Sequence, residues 1–212
     1  MNDLWDFFLH NRGQIVQLTL EHVSLVALAM LFACAAGIPL GVLVARRPVL
    51  SKPILGGANV VETIPSLALF GFLLKVRWLS TPPERLAIFV LALYALLPVI
   101  RNTAAGITGV DPAVRETALA MGMTRGQILF QVELPLSLSY LFAGVRIATV
   151  LTIGIATIAA AIGAGGLGQF IFRGLAMLDD RVTLAGAIPA ALLALAADAI
   201  LGWFERRLRR AQ

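Results

Sequence analysis

Apolar residues along this chain fall into long runs, and short stretches between the runs carry most of the charge. Crossing the hydrocarbon layer of a bilayer takes roughly 20 helical residues. Five segments meet that length: residues 23–44, 54–76, 86–107, 136–162 and 182–204. The first is followed at once by Arg46, Arg47 and Lys52, and the second runs into a polar stretch, 77–85, that holds Pro82 and Pro83. Residues 1–20 do not have the pattern of a span. Trp5, Phe7, Phe8 and Leu9 alternate there with Asp3, Asp6 and Asn residues, which suits a short amphipathic helix at the outer interface or a frayed terminus. The pattern predicts an all-α integral membrane protein, one domain over residues 1–212, with about five spans.

Composition agrees. The chain is 59% hydrophobic and 14% charged, with a mean hydropathy of +0.88. Soluble domains carry about 25% charged residues, so much of this surface has to face lipid. The net charge of +5 does not point to nucleic acid, because the basic residues sit between apolar runs and form no single stripe. Their distribution instead sets topology. With the N-terminus outside, Arg46, Arg47, Lys52, Arg101, Arg115, Arg125 and the tail arginines 206, 207, 209 and 210 face the cytoplasm. Arg12, Lys75, Arg77, Arg85, Arg173 and Arg181 then lie outside, and the inward excess follows the positive-inside tendency. The N-terminus lacks a basic leader region, so no cleaved signal peptide is expected. The single cysteine, Cys34, permits no intrachain disulfide and reads as helix packing.

The connection between the third and fourth expected spans, residues 109–135, carries the strongest local signals. Asp111 followed by Pro112 is a helix start: a capping oxygen, then proline at the first helical position. Val114, Thr117, Ala118 and Met121 recur at helical spacing, and Gly122 follows as a stop. Thr124 with Gln127 three residues on has the form of a capping box and opens a second helix. Pro135 marks entry to the fourth span. A connection this long with helices of its own generally has a function. Its apolar stripe suits insertion into a partner's groove, and equally a loop lying on the membrane surface.

The same segment resembles the EAA signature of ABC importer permeases, Glu-Ala-Ala, three residues, Gly, nine residues, Ile-x-Leu-Pro. Here it stands as Glu116-Thr117-Ala118, Gly122 and Val132-Glu133-Leu134-Pro135, with Thr117 and Val132 as its departures. The resemblance implies a MetI-like permease fold in which this loop docks on a cytoplasmic ATPase subunit. Glu116, Thr117, Ala118, Gly122, Val132, Leu134 and Pro135 would form the coupling segment. Glu116 has the alternative of a purely local role, favouring the helix or pairing near Arg115. The stretches IPLGVLVAR, ETIPSLALFGFLL, LLPVIRNTAAGI and IGAGGLGQFIFRGL extend the likeness to permeases of glycine betaine, carnitine and choline importers. That branch implies an extracytoplasmic binding protein, paired ATPases and a second permease subunit, identical or related, in the bacterial cytoplasmic membrane. An importer for methionine or another amino acid has the same architecture, and a passive channel would share the hydropathy but not the EAA spacing.

Several other positions carry readings of their own. Asn59, Glu62 and Thr63 share a helical face in the second span, and Pro65 just beyond can kink it. Buried polar groups in a bilayer often mark a pathway, so this face is a candidate wall of the route; hydration of Glu62 at the cytoplasmic interface is the alternative. Gly163, Gly165, Gly166 and Gly168 match GxGxxG formally, but no strand or βαβ unit accompanies them, so a dinucleotide site is rejected. They resemble the family's IGxGGLG segment and are expected to serve close packing or a gate. Arg146 lies inside the fourth span and needs a partner, and Asp198 in the last span is one. His10 and His22 show no metal-ligand spacing and are expected at the interface. No GxSxG, HExxH or Walker A pattern occurs, so no catalysis, metal or cofactor is expected, and ATP hydrolysis belongs to a separate subunit. The spans hold few aromatic residues for a quaternary ammonium cage, which leaves substrate selection to the binding protein.

Overall fold

The computed structural model describes residues 2–209, with side chains from Trp5 onward; the side chain of Asp3, and Arg210 of the basic tail, lie outside the described residues. Every described element is helical. The first helix, α1, runs unbroken over Asn2–Arg46. Residues 2–20 are therefore not a separate short helix but are continuous with the helix of the first span. Ile15, Leu18, Phe7 and Phe8 pack on the last part of the chain, around Leu167, Phe170 and Val182. That tertiary contact, which local pattern does not reveal, continues the helix outward.

The second expected span is broken. α2 covers Pro48–Thr63 and α3 covers Ser66–Leu73, bent by 94° at Ile64–Pro65. Proline has no N–H to continue the ladder, and Ile64 adopts an extended backbone (ψ 129°) just ahead of it. The carbonyl of Ile64, left without a helical donor, accepts a hydrogen bond from the Tyr94 hydroxyl. α4, Arg77–Ser80, is a single turn, and α5, Pro83–Thr108, is the third span.

α5 is the axis of the bundle. Leu86, Ala87, Val90 and Leu91 are fully buried, and α1 and the helix of the fourth span lie against it with Ala29, Ala33, Ala148 and Ala156 at the contact. Between α5 and the fourth span come α6, Pro112–Ala120, and α7, Arg125–Ile128. α7 runs through a wide π turn, Leu129–Glu133, directly into α8, Leu134–Ala159. A 3₁₀ turn and the glycine loop lead to α9, Gly168–Met177, an amphipathic helix in the stretch between the fourth and fifth expected spans, where the sequence pattern predicted none. The chain ends with α10, Asp180–Arg209. Among the described residues, four helices are each long and apolar enough to cross a membrane, and the α2–α3 pair makes five crossings if it counts as one.

Helices in lipid gain little from apolar burial against one another, so small residues at the crossings set how closely they pack. A Cβ added at Gly168 falls 1.8 Å from the Thr157 carbonyl oxygen, and one at Gly186 falls 2.5 Å from that of Leu167. Both contacts are with backbone and cannot be relieved by a rotamer change. Gly168→Ala is expected to destabilise the protein in detergent by about 1–3 kcal/mol or more, as overpacking does. Gly13→Ala, in open space on α1, should hold or raise stability by up to about 1 kcal/mol. Thermal unfolding of the two variants beside wild type checks both.

Candidate functional site: the connection between α5 and α8

Both predicted helix starts form as the local chemistry requires. Asp111 Oδ1 accepts from the backbone N–H of Ala113 at 2.9 Å, with Pro112 as the first helical residue. The Thr124 box is complete: Gln127 N–H donates to Thr124 Oγ1 at 3.3 Å, and Thr124 N–H donates to Gln127 Oε1 at 2.8 Å. Gly122 has φ +79°, a left-handed turn that lets the chain reverse between α6 and α7.

This segment has an exposed side and a rooted side. Glu116 and Thr117 are exposed, and the Thr117 hydroxyl is turned back onto the Ala113 carbonyl at 2.8 Å. Ala118 is buried, with Ile128 and Val110 buried beside the same turn of chain. Val114, Thr117, Ala118 and Met121, the stripe seen in the sequence, line a shallow cleft of about 300 Å³ together with Val132. Met121 stays 71% exposed, so the stripe is only partly covered by its own chain. Leu134 and Pro135 carry the π turn into α8, with Leu134 half-buried.

Sequence reasoning missed the residue that roots the segment. Glu133, last in the π turn, is 1% exposed. Arg46, at the end of α1, donates to its Oε2 at 2.5 Å. Arg115 of α6 places Nε 2.9 Å from Oε1, an ion pair without hydrogen-bond alignment, and donates through Nη2 to the Ile107 carbonyl near the end of α5. Arg115 thus belongs to Glu133, and among the described residues no ion pair involves Glu116. Glu133 is buried while both arginine side chains reach solvent, so removing one partner costs less than the about 3–5 kcal/mol typical of a fully buried pair. The one available signal was a carboxylate in the middle of an apolar run, two residues before Pro135.

The polar face of α2 sits elsewhere. Asn59 accepts from the Arg101 guanidinium at 2.7 Å, Thr63 donates to the Val60 carbonyl at 2.8 Å, and Glu62 and Pro65 are exposed beside the bend. The glycine loop lies at the far end of α8. Gly163, Gly165 and Gly166 all have positive φ, and the Gly166 N–H donates to Glu21 Oε2 at 3.2 Å. His22, expected at the interface, is instead fully buried: its Nε2 donates to the Ile153 carbonyl at 3.1 Å, and the ring packs under Gly166. The structure therefore does not bring the α2 residues and the glycines into one cluster. Arg146 meets Asp198 through two hydrogen bonds, 2.7 and 2.9 Å, and also reaches Glu205 at 3.1 Å.

The family of binding-protein-dependent transport system inner membrane components matches residues 37–210. The chain belongs to that family. It is a multi-pass inner-membrane permease. It is 44% identical over 209 residues, 98% of its length and 90% of the relative's, to the glycine betaine/carnitine/choline transport system permease protein OpuCD of Bacillus subtilis. The osmoprotectant import permease protein OsmW of Salmonella typhimurium is 41% identical over 212 residues, covering 98% of this chain and 95% of that one. Among solved structures, an inward-facing MetNI methionine ABC transporter matches with a TM-score of 0.80 at 22% identity, over 89% of this chain and 93% of that chain. An amino acid ABC transporter matches with a TM-score of 0.75 at 19% identity, over 94% and 96%. These two likenesses establish the fold alone.

The intramembrane pair of this permease gives a direct check. Arg146→Asp alone should sharply reduce the yield of inserted, monodisperse protein, and adding Asp198→Arg should restore most of it. A double variant no better than the single one would show that this pair does not hold α8 to α10.

Proposed function

We propose that this chain forms the translocation pathway of an ATP-driven importer for osmoprotectants such as glycine betaine, choline or carnitine. One observation carries the reading: the 112–134 unit, with its exposed Glu116–Thr117 edge and buried root, has the form of a coupling segment on a chain whose relatives are osmoprotectant permeases. In this reading the N-terminus lies outside, and α6, the π turn and the arginine-rich end of α10 face the cytoplasm. An ATPase subunit docks on Glu116, Thr117, Ala118 and Gly122, with Val132, Leu134 and Pro135 behind them.

Five crossings are too few to enclose a regulated route, so a second permease subunit, identical or related, completes it. The polar face of α2 at Asn59, Glu62 and Thr63, with the bend at Pro65, supplies the wall of the route on this subunit. The loop of Gly163, Gly165, Gly166 and Gly168, held by Glu21, lies at the end that receives the binding protein. Transport proceeds by alternating access, in which closure of the ATPase pair swings the spans about the route. Nothing in this chain hydrolyses ATP; it relays the motion that hydrolysis drives.

The test is uptake of labelled glycine betaine into proteoliposomes holding this chain with its ATPase, binding protein and second permease. Uptake should require ATP, and Glu116→Lys should lower it by about tenfold or more, as loss of at least ~1.4 kcal/mol of docking energy requires. Solute passage without ATPase would make the chain a channel. ATPase stimulation by a binding protein loaded with an amino acid, without glycine betaine uptake, would change the substrate and leave the importer.

A further inference from the structure

The coupling unit has a mechanical weakness that the sequence makes plain. α6 has nine residues and is joined to its neighbours by two short non-helical links, 109–111 before it and 121–124 after it. One link contains Gly109 and the other Gly122 with its left-handed turn. Backbone alone lets such a helix pivot. A force applied to its exposed edge would then be absorbed by bending of the links and never reach the spans.

The Glu133 carboxylate removes that freedom. It is buried and lies where four elements converge. Arg46 brings the end of α1 to one oxygen, and Arg115 brings α6 to the other. Arg115 also holds the Ile107 carbonyl of α5, and Glu133 itself is the last residue before α8. The π turn makes this placement possible, because its extra residue shifts the helical register just ahead of α8. A role in stability alone gives little reason for the arrangement, since apolar groups of similar volume commonly replace a buried ion pair without loss. The pair does what apolar packing does not: it fixes one orientation of α6 against α1 and α8.

We propose that Glu133, with Arg46 and Arg115, is a positioning latch that makes α6 move as one rigid body with the ends of α1 and α8. It lies behind the ATPase contact, not in it, and sets how much of each ATPase stroke reaches the spans. The inference rests on the importer reading above.

The experiment measures glycine betaine imported per ATP hydrolysed by the complete transporter in proteoliposomes, with binding protein present. Glu133→Gln keeps the shape and loses the charge. The expected result is an assembled complex that still hydrolyses ATP but whose import per ATP falls by about fivefold or more, fivefold being the low end of a typical coupling energy. Arg46→Gln, which frees only the α1 arm, should lower the same ratio, and Arg46→Lys should recover part of it. If Glu133→Gln fails to assemble, Arg46→Gln decides. A wild-type ratio in Arg46→Gln, or in an assembled Glu133→Gln, overturns the latch while leaving the importer standing. Absence of ATP-dependent uptake by wild type overturns the importer reading, and the latch with it.

Discussion

A bilayer offers no water to a charged side chain, so a charge at or near its depth must be answered from elsewhere in the protein. This chain meets that demand at three levels, and the answers hold its helices in place. Near one end, Glu21 of α1 accepts from the glycine loop after α8. Within the fourth span, Arg146 is gripped by Asp198 and Glu205 of α10. At the other end, Glu133 gathers Arg46 and Arg115. In each case the partners come from different elements, so each polar contact also fixes how one part of the chain stands against another.

Between these ties, packing is close and unspecific in chemistry. Gly41 lies against Thr103, Gly144 against the Pro98 carbonyl and Gly202 against Arg146, so helices approach where side chains are absent. The two features suit a machine that moves in blocks. Small residues let α1, α5 and α8 form a tight body with few side-chain hydrogen bonds across it. The charged ties then determine which peripheral pieces belong to that body. α6 belongs through Arg115 and Glu133; the α2–α3 pair, bent at Pro65 and carrying no fully buried residue in α2, is held more loosely through Asn59–Arg101 and the Tyr94 hydroxyl.

What the sequence revealed was local, and what it hid was distant. Apolar runs located the spans because length alone identifies them. Asp111–Pro112 and the Thr124–Gln127 box announced their helices because capping joins residues two or three apart. Arg146 and Asp198 could be paired by need, since few other charges lie within the spans. By contrast, Glu133 is 87 residues from Arg46, and His22 is 131 residues from the Ile153 carbonyl that it meets. No local pattern reports a contact at that separation. The unbroken course of α1 and the separate helix α9 were hidden for a similar reason: both depend on packing between the two ends of the chain, where Phe7 meets Phe170 edge-on.

In the proposed importer the ATPase engages the α6 end of the molecule and no other. A cysteine at Thr117, in a Cys34→Ala background, tests it by thiol cross-linking in native membranes, with a cysteine at Arg173 on the opposite end of the bundle as the comparison. Thr117→Cys is expected to join to the ATPase subunit, with a yield that changes when ATP binds, and Arg173→Cys is not. Cross-linking of the ATPase from Arg173→Cys and none from Thr117→Cys would place the partner on the wrong face and contradict the account.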